Sequence, residues 1–187
     1  LIRVDFNVPL DKAFAVTDDN RIRATIPTLK KILADGGSCI LMSHLGRPKG
    51  GPEDKYSLRH TVGTLESLLG RKVIFGGDCI GEEAAAKAKG LKGGDVLLLE
   101  NLRFYKEEEK GDLEFARKLS TLGDVYVNDA FGTAHRAHAS TTIVAQFFQK
   151  KCAGLVMADE LTNAKKVMEN ENRPFKAIKK KKKISDK

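Results

Sequence analysis

In the stretch Asn128 to Thr141, "NDAFGTAHRAHAST", His135, Arg136 and His138 fall close together and Asp129 is the only acid. Three chemistries are open to such a cluster: a metal site, a site for an anionic ligand, or a polar loop. A metal would have to be shared by His135 and His138, yet Arg136 between them brings a competing positive charge, and no third or fourth ligand is placed by spacing. No metal site is therefore expected. Arginine and histidine recur at comparable places elsewhere. His44 and Arg47 follow "CILMS", Arg103 follows "DVLLLEN", and Asp5 and Asn7 end the first apolar run, "LIRVDFN".

Lysine outnumbers arginine 23 to 10 over the chain, so arginines gathered at the ends of apolar runs point to planar, bidentate recognition of carboxylate or phosphate. Each charge-assisted hydrogen bond is worth roughly 1.5–3 kcal/mol, and three or four would offset the desolvation of one small polyanion. Taken singly, each arginine reads as a solvated loop residue; their repetition at one kind of position argues for a shared ligand. Asp5 reads as a general base or as a carboxylate that orients a ligand hydroxyl.

The elements that must position these residues follow from the pattern of apolar runs. "LIRVDFN", "CILMSH", "KVIF", "DVLLLEN" and "DVYVND" are rich in Val, Ile and Leu and stop at polar residues, as strands buried on both faces do. Helical spacing lies between them. Ser57 to Gly70 has a capping Ser57, a face of Leu58, Val62, Leu65 and Leu69, and a terminating Gly70. Asp112 to Gly123 repeats the pattern with Leu113, Ala116, Leu119 and Leu122. Ile22, Ile26, Leu29 and Leu33 share a stripe closed by Gly36 and Gly37, with Pro27 predicting a start near Thr25. Ala153 to Glu171 predicts a last helix, with Leu161, Ala164 and Met168 on one stripe, followed by "NRPF" and a short strand "FKAI". The alternation predicts an α/β fold: a doubly wound, mostly parallel sheet with helices on both faces. Ligands of such sheets bind beyond the carboxyl ends of the strands, where the cationic residues fall.

Composition narrows the function classes. A chain of 187 residues is long enough to bury on the order of 70% of its unfolded surface. Cys39, Cys79 and Cys152 are widely spaced with no C-x-x-C pair, which suits a reducing, cytoplasmic compartment. No apolar run approaches a membrane span, and no signal-peptide pattern opens the chain, which lacks an initiator Met. Of the net charge of +8, Lys179 to Lys183 and Lys187 against Asp186 supply five, leaving +3 on residues 1–178. A nucleic-acid partner is not expected on so local a run. Neither G-x-x-x-x-G-K-[ST] nor a dinucleotide fingerprint is present.

Together "RVDFNVPLD", "SHLGRPKG", "LLLENLRFYKEEE" and "DVYVNDAFGTAHRAHAS" closely resemble the phosphoglycerate kinase family, over essentially the whole chain but only its amino-terminal half. The resemblance implies a Rossmann-like substrate domain at 1–152, a connecting helix and break at 153–174, and the start of a nucleotide-binding domain at 175–187. It implies a glycolytic phosphotransferase exchanging phosphoryl between 1,3-bisphosphoglycerate with ADP and 3-phosphoglycerate with ATP. Mg2+ with ADP or ATP would be held mainly by the other half, no membrane or nucleic-acid partner is implied, and a monomer is expected.

Residue by residue, the resemblance gives Asp5 and Asn7 to the substrate hydroxyl and Arg21 to its carboxyl end, where transfer occurs. It gives His44, Arg47, Arg103 and Arg136 to the phosphate that stays, with His135 and His138 in support. Lys183 and Lys187 match lysines that contact the nucleotide phosphates and count with Arg21 as catalytic. At Lys179 to Lys182 the chain departs from the family's Leu-Gly-Gly-Ala. A non-catalytic module of the same fold, docking acidic partners through its lysine run, is the alternative.

Overall fold

The computed structural model describes residues 1–49, 51–134 and 136–169. Six strands, β1 (Ile2–Val4), β2 (Cys39–Met42), β3 (Ile74–Phe75), β4 (Val96–Leu98), β5 (Tyr126–Asp129) and β6 (Lys151–Ala153), form one sheet in the order β3-β4-β2-β1-β5-β6. Every pairing is parallel. Successive side chains of a strand point to opposite faces, and two cores follow from that. Ile2, Val4, Leu41, Leu98 and Val127 pack on one face; Leu1, Ile40, Met42, Leu97 and Tyr126 pack on the other.

Helices cover both faces. Ile22, Ile26, Leu29 and Leu33 of α1 (Asn20–Ala34) and Leu65 and Leu69 of α2 (Val62–Leu69) join the first core. Ala84 of α3 (Glu82–Lys89) and Phe115, Ala116 and Leu119 of α5 (Leu113–Ser120) join the second, with the short α4 (Lys106–Lys110) beside them. The crossovers β1 to β2 and β2 to β3 run toward one edge of the sheet over the first face. Those from β3 to β4 and from β4 to β5 run the opposite way over the second face, as crossovers of a single hand require. The doubly wound α/β fold expected from the alternation is the fold observed.

Particular elements depart from expectation. α1 begins at Asn20, not near Thr25, and carries Pro27 inside. Pro27 is exposed, so the hydrogen bond it cannot make is lost on the solvent side, while fully buried Ile22 holds the turn before it. In α5, Leu113 is 55% exposed and Phe115 fills the core place given to it. Segment 57–70 starts as a 3-10 turn over Leu58–Thr61 before α2, and Gly70 closes it at φ +68°. α3 and β6 had no signal in the apolar pattern. The last helix, α6 (Leu155–Glu169), starts two residues later than expected because Lys151–Ala153 pair with β5. Leu161 and Ala164, predicted to share its buried stripe, are exposed among the described residues.

Candidate functional site

Because β1 leads toward β2 on one side and β5 toward β6 on the other, the sheet's switch point lies between β1 and β5. There the loops diverge and leave a crevice beyond the carboxyl ends. Asp5 and Asn7 leave β1, His44 and Arg47 leave β2, Arg103 follows β4, and Arg136 and His138 follow β5.

Hydrogen bonds between these strand ends fix the turn that carries His44 and Arg47. The Gly46 N–H donates to Asn7 Oδ1 at 2.8 Å, and the Gly46 carbonyl accepts Arg103 Nη1 at 2.9 Å. Asn101 Nδ2 donates to the Leu45 carbonyl at 2.7 Å while its Oδ1 caps the turn at the Arg103 N–H, 3.0 Å away. Only glycine serves at position 46: φ is +63°, and a Cβ there would lie 2.4 Å from the Tyr56 ring. Three strand ends are thereby tied into one surface.

Of the expected site residues, Arg21 stands in the first turn of α1 and pairs with the Asp5 carboxylate. Arg103 is 8% exposed, with Nε 3.3 Å from Glu109 and Nη2 without a protein partner among the described residues. Arg136 is exposed, and the Thr141 and Thr142 hydroxyls donate to its carbonyl at 2.7 and 3.2 Å, which steadies its backbone. Arg47 is exposed, and its side chain makes no hydrogen bond or ion pair among the described residues. His138 is half-buried, 4.0 Å from Glu108; burial holds its imidazole below the ordinary value against the opposing pull of Glu108. His135, Lys183 and Lys187 lie outside the described residues.

His44 reports how closely the cations gather. Burial, then the charges of Arg3, Arg103, Arg136 and Arg21, push its pKa down to about 2, so its imidazole is neutral at ordinary pH. Arg3 touches this buried ring directly, its Nη2 3.1 Å from Nδ1. A crevice lined with such cations favours an oxyanion.

Sequence reasoning missed Arg3, Glu108 and Ser140, which lie beneath the crevice. Arg3 is 1% exposed; its Nε donates to Ser140 Oγ at 3.0 Å, Nη2 contacts His44 Nδ1 at 3.1 Å, and Nη1 donates to the Val4 carbonyl. Glu108 is fully buried and accepts the Ser140 hydroxyl at 2.5 Å and the Ser140 N–H at 2.9 Å. Arg3 had a visible signal, an arginine inside a run otherwise fit for burial on both faces. Such a charge needs an acid, and Glu108 supplies it.

Two hollows lie elsewhere: one of about 770 Å3 lined by Asp18, Asp19 and Arg23, another of about 800 Å3 at the amino ends of the strands beside Leu1 and Gly123. A ligand recognised mainly by charge needs convergent donors more than an enclosed volume.

Fold and crevice together define a doubly wound α/β domain suited to hold a small polyanion at its switch point. A family model described as phosphoglycerate kinase matches residues 1–187, and the chain belongs to that family. It is 56% identical over 178 residues to the chloroplastic phosphoglycerate kinase of Chlamydomonas reinhardtii, spanning 95% of this chain and 39% of that protein. It is 55% identical over 177 residues to the cytosolic enzyme of Triticum aestivum, spanning 95% and 44%. The solved phosphoglycerate kinase of Pyrococcus horikoshii OT3 superposes with a TM-score of 0.83 at 32% identity, covering 92% of this chain and 44% of that one. The chain thus spans about two-fifths of the length of the curated relatives it matches.

Proposed function

We propose that this chain is the substrate-gripping half of a phosphoglycerate kinase, a glycolytic phosphotransferase interconverting 1,3-bisphosphoglycerate and ADP with 3-phosphoglycerate and ATP. The observation that carries the reading is the tying of three strand ends through Gly46, Asn7 and Asn101, which sets Arg103 against the turn that carries His44 and Arg47. In this reading His44, Arg47, Arg103 and Arg136 grip the phosphate that stays, with His135 and His138 in support. Asn7 has its carbonyl oxygen engaged by Gly46, so its amide N–H groups are what it offers the substrate hydroxyl, and Asp5 offers an acceptor. Arg21 shares Asp5 with the incoming ligand and faces the carboxyl end, where it neutralises charge on the phosphoryl group in transit. The protein adds positioning and charge, with no covalent intermediate on a side chain.

Among the described residues no three His, Cys, Asp or Glu side chains stand together to hold a metal ion, and the crevice is cationic. These residues do not fit Mg2+ with ADP or ATP; in this reading that group belongs to the remainder of the protein, with Lys183 and Lys187 as candidate contacts. The division into 1–152, 153–174 and 175–187 is part of the same proposal, as is a monomeric state. Among the described residues no helix is long and apolar enough to cross a membrane. All three cysteines are free, which supports a reducing compartment; the cytoplasm is proposed, with a cytosolic and a chloroplastic relative marking the alternatives. The docking-module alternative is not favoured against more than half identity to named kinases.

The test joins this chain to the carboxyl-terminal remainder of the wheat relative and assays ATP formation from 1,3-bisphosphoglycerate. The expected result is turnover in the chimera and, in the chain alone, 3-phosphoglycerate binding without turnover, seen as heteronuclear NMR shifts at Arg103 and Arg136. A chimera that does not turn over, together with a chain that shows no shifts at millimolar ligand, would overturn the reading.

A further inference from the structure

Every proton in the buried chain Glu108–Ser140–Arg3–His44 has only one place to be. Glu108 accepts two donors, the Ser140 N–H and the Ser140 hydroxyl, as an ionised carboxylate does. The Ser140 hydroxyl proton is therefore spent on Glu108, and the lone pair of Ser140 Oγ is what faces Arg3 Nε at 3.0 Å. A guanidinium has donors and no acceptor. The contact of Arg3 Nη2 with His44 Nδ1 at 3.1 Å is then a hydrogen bond only if Nδ1 is bare. In a neutral imidazole with bare Nδ1, the proton sits on Nε2. Among the described residues Nε2 has no protein partner, and it is not sealed off from solvent as Asp129 Oδ2, the only buried unpaired side-chain atom there, is.

We propose that Glu108, Ser140 and Arg3 form a positioning relay that locks His44 as the Nε2–H tautomer, so that it offers the crevice a neutral donor rather than a positive charge. The proposal rests on reading the crevice as an oxyanion site. Other groups reinforce the neutral state: Arg103 after β4, Arg136 in the segment after β5 and Arg21 of α1 all act on the ring, and burial opposes its charging. Glu108 lies behind Arg3 and does not reach Nδ1, so its charge serves to hold Ser140 and balance Arg3. The advantage is geometric. An imidazolium would repel the guanidinium neighbours and loosen them, whereas an N–H donor aimed by its other nitrogen reads an oxygen without adding to the repulsion.

The experiment is nitrogen-15 NMR of the histidine-labelled 187-residue chain, which distinguishes protonated from bare ring nitrogens without any ligand. The expected spectrum shows His44 as Nε2–H with Nδ1 bare, unchanged from pH 7.5 to pH 5. An Nδ1–H tautomer, or an imidazolium at pH 6, overturns the proposal. Ser140→Ala is expected to release Arg3 and give a tautomer mixture, and Ser140→Thr, which keeps the hydroxyl, to restore the single form; a single unchanged Nε2–H form in Ser140→Ala overturns the relay. A third arm measures 3-phosphoglycerate affinity. His44→Gln, whose amide nitrogen takes the place of Nε2, keeps it within about threefold, and His44→Asn loses about tenfold, one hydrogen bond's worth. The reverse order overturns the donor role. If 3-phosphoglycerate binds neither variant nor the parent while the tautomer is as expected, the substrate reading fails and the relay stands.

Discussion

Asp129, the last residue of β5, accepts the Val156 N–H in the first turn of α6 at 2.9 Å. The Leu155 N–H beside it donates to Thr28 Oγ1 of α1 at 3.0 Å. The first turn of α6 is therefore capped by side chains from two other elements. α1 also carries Arg21, about two turns before Thr28, so one helix links the crevice to the mount of α6. Asp129 is 1% exposed and burial raises its pKa, against the helix N–H groups that draw it down.

Gly154 is where this mount is most exposed to mutation. A Cβ there would lie 2.2 Å from Asp129 Oδ1, which no real contact allows. Gly154→Ala is expected to displace the carboxylate, cost about 1–3 kcal/mol, and speed amide exchange at Leu155 and Val156 while β1 and β2 keep their protection. Urea denaturation and hydrogen exchange check both. Unchanged exchange at Val156 would remove Asp129 as the cap.

Acid sensitivity should trace partly to His44. Its unfolded value is 6.5 and its folded value about 2, so the unfolded chain takes up a proton that the folded chain refuses. Stability from this residue is intact above pH 6.5 and is lost as pH falls toward 2, with a limiting slope of about 1.4 kcal/mol per pH unit. Between pH 7 and pH 5 the parent is expected to lose stability faster than His44→Gln. Urea midpoints for the two across that range give the test, and parallel curves would mean that His44 charges freely in the folded state.

Much of this architecture is legible in the sequence for a definite reason. Strands buried on both faces must be apolar throughout, so "CILM" and "VLL" announce β2 and β4, and a polar residue just beyond them announces a strand end. The cationic residues were found because they stand at those ends. β6 was hidden because Lys151–Ala153 is an exposed edge strand with no apolar run. α3 was hidden because its contribution to the core is Ala84, too small to mark a stripe. The layer under the crevice was hidden because contacts such as Arg3 to Ser140 join residues 137 positions apart.

Arg103 separates charge from shape. Its Nη1 and Nε are both engaged, at Gly46 and Glu109, and only a planar fork holds that posture while leaving Nη2 free. Arg103→Lys keeps the charge yet is expected to weaken 3-phosphoglycerate binding by about tenfold or more, an equivalent of about 1.4 kcal/mol. Isothermal titration calorimetry of both proteins measures it. A lysine variant that binds as well as the parent would reduce the site to a diffuse electrostatic field.

The three glutamates 107, 108 and 109 are alike in sequence and unlike in place. Glu107 and Glu109 are exposed on α4, and Glu109 meets Arg103 at the rim. Glu108 is fully buried and stands against the charge of Arg3, with Ser140 between them. Removing one partner of a buried charge pair leaves the other without compensation, which costs about 3–5 kcal/mol. Glu108→Ala is expected to lose that much in urea denaturation, and Glu107→Ala well under 1 kcal/mol, as exposed positions do. Glu108→Gln keeps an acceptor for Ser140 but not the charge, so its loss should fall between the two. If Glu108→Ala matched Glu107→Ala, the carboxylate would not be what holds Arg3, and the floor of the crevice would have to be organised by packing alone.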